Sequence, residues 1–252
     1  MSIGGIGGYG LLSALVSDSS GIKRQLDTLT QQASTGRVGQ TYAEQGAPAK
    51  ISLDLRPKIA ALQTHQANID AAVGRLSVTQ TAMKQIQSIA STFLADLNNL
   101  NGLNPSQIDS VAANARDAMA QVANLLDTKN GDVYVFSGID SANPPVPNPD
   151  AIASSGFATQ IATAVGGLSA NGATATAAAT LAIAKSNAAG TSPFSTYLSQ
   201  SATNLSTQTL QTGPGEFQSV GLLASANSVA VSGGASTTGS YMRDLLRGLA
   251  TL

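Results

Sequence analysis

Residues 55–100 read LRPKIAALQTHQANIDAAVGRLSVTQTAMKQIQSIASTFLADLNNL, and every seventh position from the first is Leu55, Leu62, Ile69, Leu76, Met83, Ala90 and Leu97. A second set, Ile59, Gln66, Val73 and Gln80, then after a shortened step Ile86, Phe93 and Leu100, interleaves with it. Strict heptad spacing makes a narrow apolar stripe suited to a partner helix rather than to a broad core. Gln66 and Gln80 weaken a simple dimer and favour a defined partner groove, and the three-residue step from Met83 to Ile86 predicts locally altered winding. A helix over residues 58–100 would be about 65 Å long at 1.5 Å per residue. A compact chain of this size has a diameter of roughly 46 Å, so the helix would outreach the globule. Pro57 suits a first turn; the alternative is a start near Ala49 with a kink at Pro57.

Working outward, Asn101-Gly102 breaks the helix and Asn104-Pro105 restarts one as cap and first residue. Its seam, Ile108, Val111, Ala115, Met119, Val122 and Leu125 or Leu126, can fold back on the long helix as an antiparallel hairpin. The expected rod core is therefore Leu55, Ile59, Leu62, Ile69, Val73, Leu76, Met83, Ile86, Phe93 and Leu97 against Ile108, Val111, Met119 and Val122. Asn130-Gly131 ends the return helix, residues 133–136 form a short strand, and Pro144, Pro145, Pro147 and Pro149 mark a domain boundary. Upstream, Leu15, Ser19, Ile22, Leu26, Leu29 and Ala33 lie at helical spacing, ended by Ser34-Thr35-Gly36 and an irregular stretch containing Gly39, Gly46 and Pro48. For part of this helix, packing within the chain and assembly with other subunits stay equally open; on the second reading Leu15, Ile22, Leu26 and Leu29 are an assembly seam. Beyond the prolines, residues 152–168 and 173–189 read as partly helical, 193–211 as weakly helical, Gly213-Pro214-Gly215 as a turn, and 222–223 and 229–231 as short strands. Tyr241, Leu245, Leu246 and Leu249 return to helical spacing.

The fold class is thus mainly α: an elongated antiparallel helical hairpin or coiled-coil rod, a short β segment, and a second, mixed domain rich in Ala, Ser, Thr and Gly. Its divisions are an amino-terminal assembly helix and linker (1–48), the hairpin rod and strand (49–140), a variable, surface-displayed domain (141–238) and the start of a returning helix (239–252).

Composition narrows the function classes. The 252 residues carry 13 basic and 14 acidic side chains, one His and neither Cys nor Trp, which leaves no basic surface for nucleic acid and excludes disulfides, thiol catalysis and Cys-ligated metal. Residues 1–140 hold 10 basic and 11 acidic side chains and residues 141–252 only 3 and 3, so the two parts are different materials. In the second, Ala, Gly, Ser and Thr fill 64 of 112 positions, as in displayed or repetitive segments. Residues 1–17 are uncharged, yet Gly4, Gly5, Gly7, Gly8 and Gly10 interrupt any apolar run, so neither a secretory signal nor a membrane span fits.

No constellation carries catalysis. His65, on the long helix off the Leu62 and Ile69 stripe, reads as a solvated residue; one His and two Glu (Glu44, Glu216) build no usual metal site. Asp54 beside Arg56, and Arg243 beside Asp244, read as surface charges. The opening IGGIGGYG lacks the following lysine and preceding strand of a phosphate loop. No catalytic residue, cofactor or metal is expected. The competing non-enzymatic reading is a secreted adhesin or binding module displayed through residues 141–240.

The order of these features resembles a known family. A helix ending in Gln31-Gln32-Ala33-Ser34-Thr35-Gly36, an irregular stretch, and then Lys50-Ile51-Ser52 onward into the long helix is similar to the amino-terminal region of bacterial flagellins. Gly131-Asp132-Val133-Tyr134-Val135-Phe136-Ser137-Gly138 resembles the Tyr-Leu-Phe-Ser-Gly type segment of the hook-filament junction group, hook-associated protein 3. Gly239-Ser240-Tyr241-Met242-Arg243-Asp244-Leu245-Leu246 resembles the re-entry into the carboxy-terminal helices. The resemblance implies an extracellular structural subunit of the flagellum, exported without a cleaved signal peptide, with an export chaperone and other axial subunits (hook-associated proteins, flagellin) as partners and no membrane insertion. Such chains normally return through a long carboxy-terminal helix; with nothing following Leu252, the expectation is that the seam of residues 15–33 lacks its partner within the chain. Many flagellins carry arginines on the first long helix that an innate immune receptor reads, whereas the matching stretch here is Ile86-Gln87-Ser88-Ile89-Ala90. Recognition is therefore expected to be weak or absent, and a robust receptor-reporter response to purified protein would contradict this.

Overall fold

The computed structural model describes residues 6–37, 48–99, 105–226 and 235–252. The fold is mainly helical, with two small antiparallel sheets. Two compact units divide the chain, Met1–Gln63 and Thr64–Leu252.

In the first unit α1 spans Ile6–Thr35. It starts well before Leu15 and runs through Gly7, Gly8 and Gly10, since each helical glycine costs only about 1 kcal/mol relative to alanine and does not forbid the conformation. Its end is built as the sequence suggests. Gly36 takes φ +67° and its N–H donates to the Gln32 carbonyl at 2.8 Å, closing the helix with a left-handed residue. The Thr35 hydroxyl donates to the Gln31 carbonyl.

The long helix α2 spans Pro48–Asn99, about 78 Å at 1.5 Å per residue. It begins at Pro48 and continues through Pro57, so of the two readings of that proline the earlier start holds. Pro57 has no N–H to give the Leu53 carbonyl. Leu100, the Asn101-Gly102 break and the Asn104 cap lie outside the described residues.

In the second unit α3 spans Pro105–Leu126, opening on the proline whose missing N–H a first turn does not need. It packs on α2 through Ala115, Met119, Val122, Ala123 and Leu126, all fully buried, against Ala82, Ile86 and Phe93. The seam that α2 uses is not the one its large apolar residues advertise. The covered positions include His65, Asn68, Ala72, Arg75, Thr79, Ala82, Ile86, Ile89 and Phe93, an unbroken alternation of three- and four-residue steps, with Val78, Met83, Ala90 and Asp96 partly covered beside them. No change of winding is needed near Met83: the register is continuous, and only its lower half is written in polar and small residues.

The β3–β4 hairpin covers that polar half. Strands β1 (Lys129–Asn130) and β2 (Val133–Tyr134) form a small hairpin around Gly131, and β3 (Gln208–Gly213) pairs antiparallel with β4 (Glu216–Val220). The Asn68 amide donates to the Gln211 carbonyl at 2.9 Å, and the Arg75 guanidinium donates to the Gln208 side chain. Residues 193–211, read from sequence as weakly helical, instead hold turns, a 3-10 turn at Ala202–Asn204 and strand β3. The strand expected at 133–136 is shorter, because Val135 and Phe136 turn into the core. Leu223 bridges to Ser137, and residues 229–231 lie outside the described set.

The proline segment is pinned rather than free. Pro145 accepts from Ser195 N–H and Asp127 accepts from Val146 N–H, both at 2.8 Å. A 3-10 turn, Pro149–Ser154, carries Ile152 onto α3. Then follow α4 (Gly156–Gly166) and α5 (Leu168–Lys185), the latter broken at Gly172 with φ +77°. A Cβ on Gly156 would fall 1.8 Å from the Gly190 carbonyl oxygen, so this approach admits only glycine. The last helix, α6 (Tyr241–Ala250), is capped by Ser240 and buries Met242, Leu246 and Leu249 against α3, α4 and α5.

Burial pushes the Asp127 carboxyl up from 3.8 to about 6, against the opposing pull of Val146 N–H and Lys129. A carboxyl raised in the folded state favours folding most when protonated, so its contribution is full below pH 3.8 and is lost as pH rises through about 6. Asp127→Asn keeps an acceptor for Val146 without the buried charge. Denaturation midpoints of this variant are expected to vary less with pH across that window and, above it, to equal or exceed those of the parent.

Candidate assembly surface

The heptad stripe Leu55, Leu62, Ile69, Leu76 with Ile59 and Val73 sits one residue, about 100° of helix rotation, from the covered seam. In the first unit Leu55, Ile59 and Leu62 are exposed, together with Ile51 and Leu53; in the second Ile69, Val73 and Leu76 are exposed. On α1, Ile22, Leu26 and Leu29 are exposed as well, Leu26 to 62%. Of the 19 exposed large hydrophobic residues among those described, 13 lie on α1 and α2, so the open apolar surface is concentrated on the amino-terminal helices rather than scattered. Exposed apolar stripes of this kind mark interaction surfaces.

The expected rod core therefore divides. Ile86, Phe93, Met119 and Val122 come together in the core, with Met83 and Val111 packed at its edge. Leu55, Ile59, Leu62, Ile69, Val73, Leu76, Leu97 and Ile108 are not core residues of this chain; each is exposed. For Ile69, Val73 and Leu76 the physical reason is that a helix turns one face to a given neighbour, and here α3 and the β3–β4 hairpin take the other. Of the amino-terminal seam, Ile22, Leu26 and Leu29 are exposed, while the side chain of Leu15 lies outside the described residues.

His65 and Arg243 depart from their sequence reading, and Asp127 takes a role no local pattern pointed to. His65 is half-buried, with Nδ1 out of solvent and lacking a hydrogen-bond partner. Asp127 pins the proline segment. Arg243 is no surface charge: it is 7% exposed, its guanidinium donating to four acceptors and lying 5.2 Å from the Phe194 ring. Asp244 caps the approach to α6 by accepting from Thr238 N–H and the Thr237 hydroxyl. The Asp127 and Arg243 contacts join positions 19 and 18 to 59 residues apart in the chain, beyond any local pattern.

Among the described residues no group of His, Asp and Glu is arranged to hold a metal ion, and no helix is long and apolar enough to cross a membrane. Helices with exposed heptad stripes and a core elsewhere define a class, the helical structural subunit. The family follows from comparison: the model of the bacterial flagellin N-terminal helical region matches residues 12–141, 130 of the 252. The chain belongs to the bacterial flagellin family, whose members are structural subunits of the extracellular flagellum that assemble with other flagellar subunits. No curated protein and no solved structure matches it.

The two kinds of apolar residue should separate by stability. Leu62→Ser and Leu76→Ser are expected to stay within about 0.5 kcal/mol of the parent, whereas Met119→Ala should cost about 2–5 kcal/mol, read by chemical denaturation of the monomer.

Proposed function

We propose that this chain is an axial subunit of the hook-filament junction type, which joins neighbouring subunits through the exposed heptad stripes of α1 and α2. The observation that carries the reading is the exposure of Ile22, Leu26 and Leu29, and of Leu55, Leu62, Ile69 and Leu76, at helical spacing on α1 and α2. Burying each such side chain between subunits is worth roughly 1.5–3 kcal/mol. Several per interface suffice to make assembly favourable while polar neighbours keep the free subunit dissolved. The junction type is favoured over the filament type by the segment from Gly131 to Gly138, whose Val-Phe-Ser-Gly ending is similar to that of hook-associated protein 3. Residues 141–238 are the displayed part, and the subunit performs no catalysis.

Its route out of the cell is the flagellar export channel, travelled unfolded and with an export chaperone shielding the stripes beforehand. A chain without cysteine has no disulfide to prevent such threading.

Removal of residues 1–33, or Leu26→Ser with Leu29→Ser, is expected to abolish incorporation while leaving the second unit folded by circular dichroism; incorporation at parental levels would refute the role of α1. Immunogold label should form one band at the hook boundary. Label along the whole filament would assign the chain to the filament type instead.

A further inference from the structure

The re-entry segment before α6 closes one side of a cavity of about 280 Å³, lined on the other by the end of α5 and by residues near 200 and 225. Its wall holds two cations, Lys185 and Arg243, and no carboxylate. A guanidinium has five N–H donors. In Arg243 the Nε–H serves the Ser225 carbonyl, the two Nη1 hydrogens serve the carbonyls of Ala184 and Ser186, and one Nη2 hydrogen serves Asn187 Oδ1. One Nη2 hydrogen stays without an acceptor, and carbonyl dipoles and the Phe194 ring, but no anion among the described residues, face the buried charge. Ser225 is 4% exposed and its hydroxyl has no partner. The Lys185 ammonium is exposed and makes no ion pair among the described residues. Asp244, next to Arg243 in the chain, is engaged by Thr237 and Thr238 and does not line the cavity.

A buried cation with an unused donor, an orphaned buried hydroxyl and a free ammonium meeting in one cavity describe the complement of an anion, because buried charge and buried unpaired polar groups both cost free energy until matched. The volume is at the small end for ligand sites, which suits a single ring rather than a chain. Elsewhere in the wall, the Gln200 side-chain amide and the one acceptor position left on Thr238 Oγ1, which donates to the Ser240 carbonyl and accepts from Ser240 N–H, suit hydroxyls. We propose that this cavity binds a monosaccharide acid, its carboxylate toward Lys185, Ser225 and the unused Nη2 hydrogen of Arg243 and its hydroxyls toward Gln200 and Thr238.

Glucuronate titrated into the full chain should shift the amide resonances of Ser225 and Arg243 saturably, in the millimolar range. Glucose and acetate should each bind much more weakly. Lys185→Ala and Ser225→Ala are each expected to weaken glucuronate roughly tenfold, the loss of one charge-assisted contact. Lys185→Ala should leave the melting temperature unchanged and Ser225→Ala should not lower it, since neither side chain has a partner to lose and the orphaned hydroxyl is removed. Absence of saturation, equal binding of glucose or of acetate, or unchanged affinity in both variants would each overturn the assignment.

Discussion

A helix can turn only about one third of its circumference toward any one neighbour, and in α2 that limit governs what the rest of the chain does. Two heptad stripes run along the helix, one residue apart in phase. Within the chain, α3 and the β3–β4 hairpin cover the stripe through Ala72, Thr79, Ala82, Ile86 and Phe93. The stripe richer in leucine is thereby left outside. Small residues in the covered seam allow close approach to Ala115 and Met119, and the large ones outside offer a binding surface. Core and assembly surface are thus separated on one helix by rotation rather than by sequence position.

The second unit holds its irregular half by a few long-range polar contacts laid over this helix pair. Asp127 at the end of α3 fixes the proline segment, Asn68 and Arg75 fix the hairpin, and Arg243 ties α6 to the end of α5 and to Ser225. A segment so rich in Ala, Ser and Thr has few large side chains to bury. Of those it has, Ile152, Phe157, Ile161, Phe194 and Leu198 join the core around Met119 and Val122. The polar contacts select one arrangement from many of similar burial, and the Arg243 tie also creates the cation-lined cavity.

Much of this was legible in the residues themselves. The amino-terminal helix and its Ser34-Thr35-Gly36 stop, the long helix, its return from Pro105, and the turns at Gly131 and Gly213-Pro214-Gly215 follow from periodicity, caps and turn chemistry, which are local properties. Less legible was the face of α2 that packs inward. Periodicity reports where large apolar side chains recur, and here they recur on the face the chain leaves open. Strand β3 was missed because Gln208, Thr209 and Gln211 give no alternating apolar signal; its pairing with β4 and its seat on Asn68 and Arg75 make it a strand.

What the sequence alone determined is the presence, order and type of the amino-terminal elements, and with them the family, because these depend on spacings of seven residues or fewer. Tertiary structure alone decided which of two adjacent stripes is core and which is surface, that Arg243 is a buried clamp rather than a surface charge, and that Asp127 carries a raised pKa. Each depends on what stands opposite a residue in space, and that neighbour comes from a part of the chain whose approach no local pattern encodes.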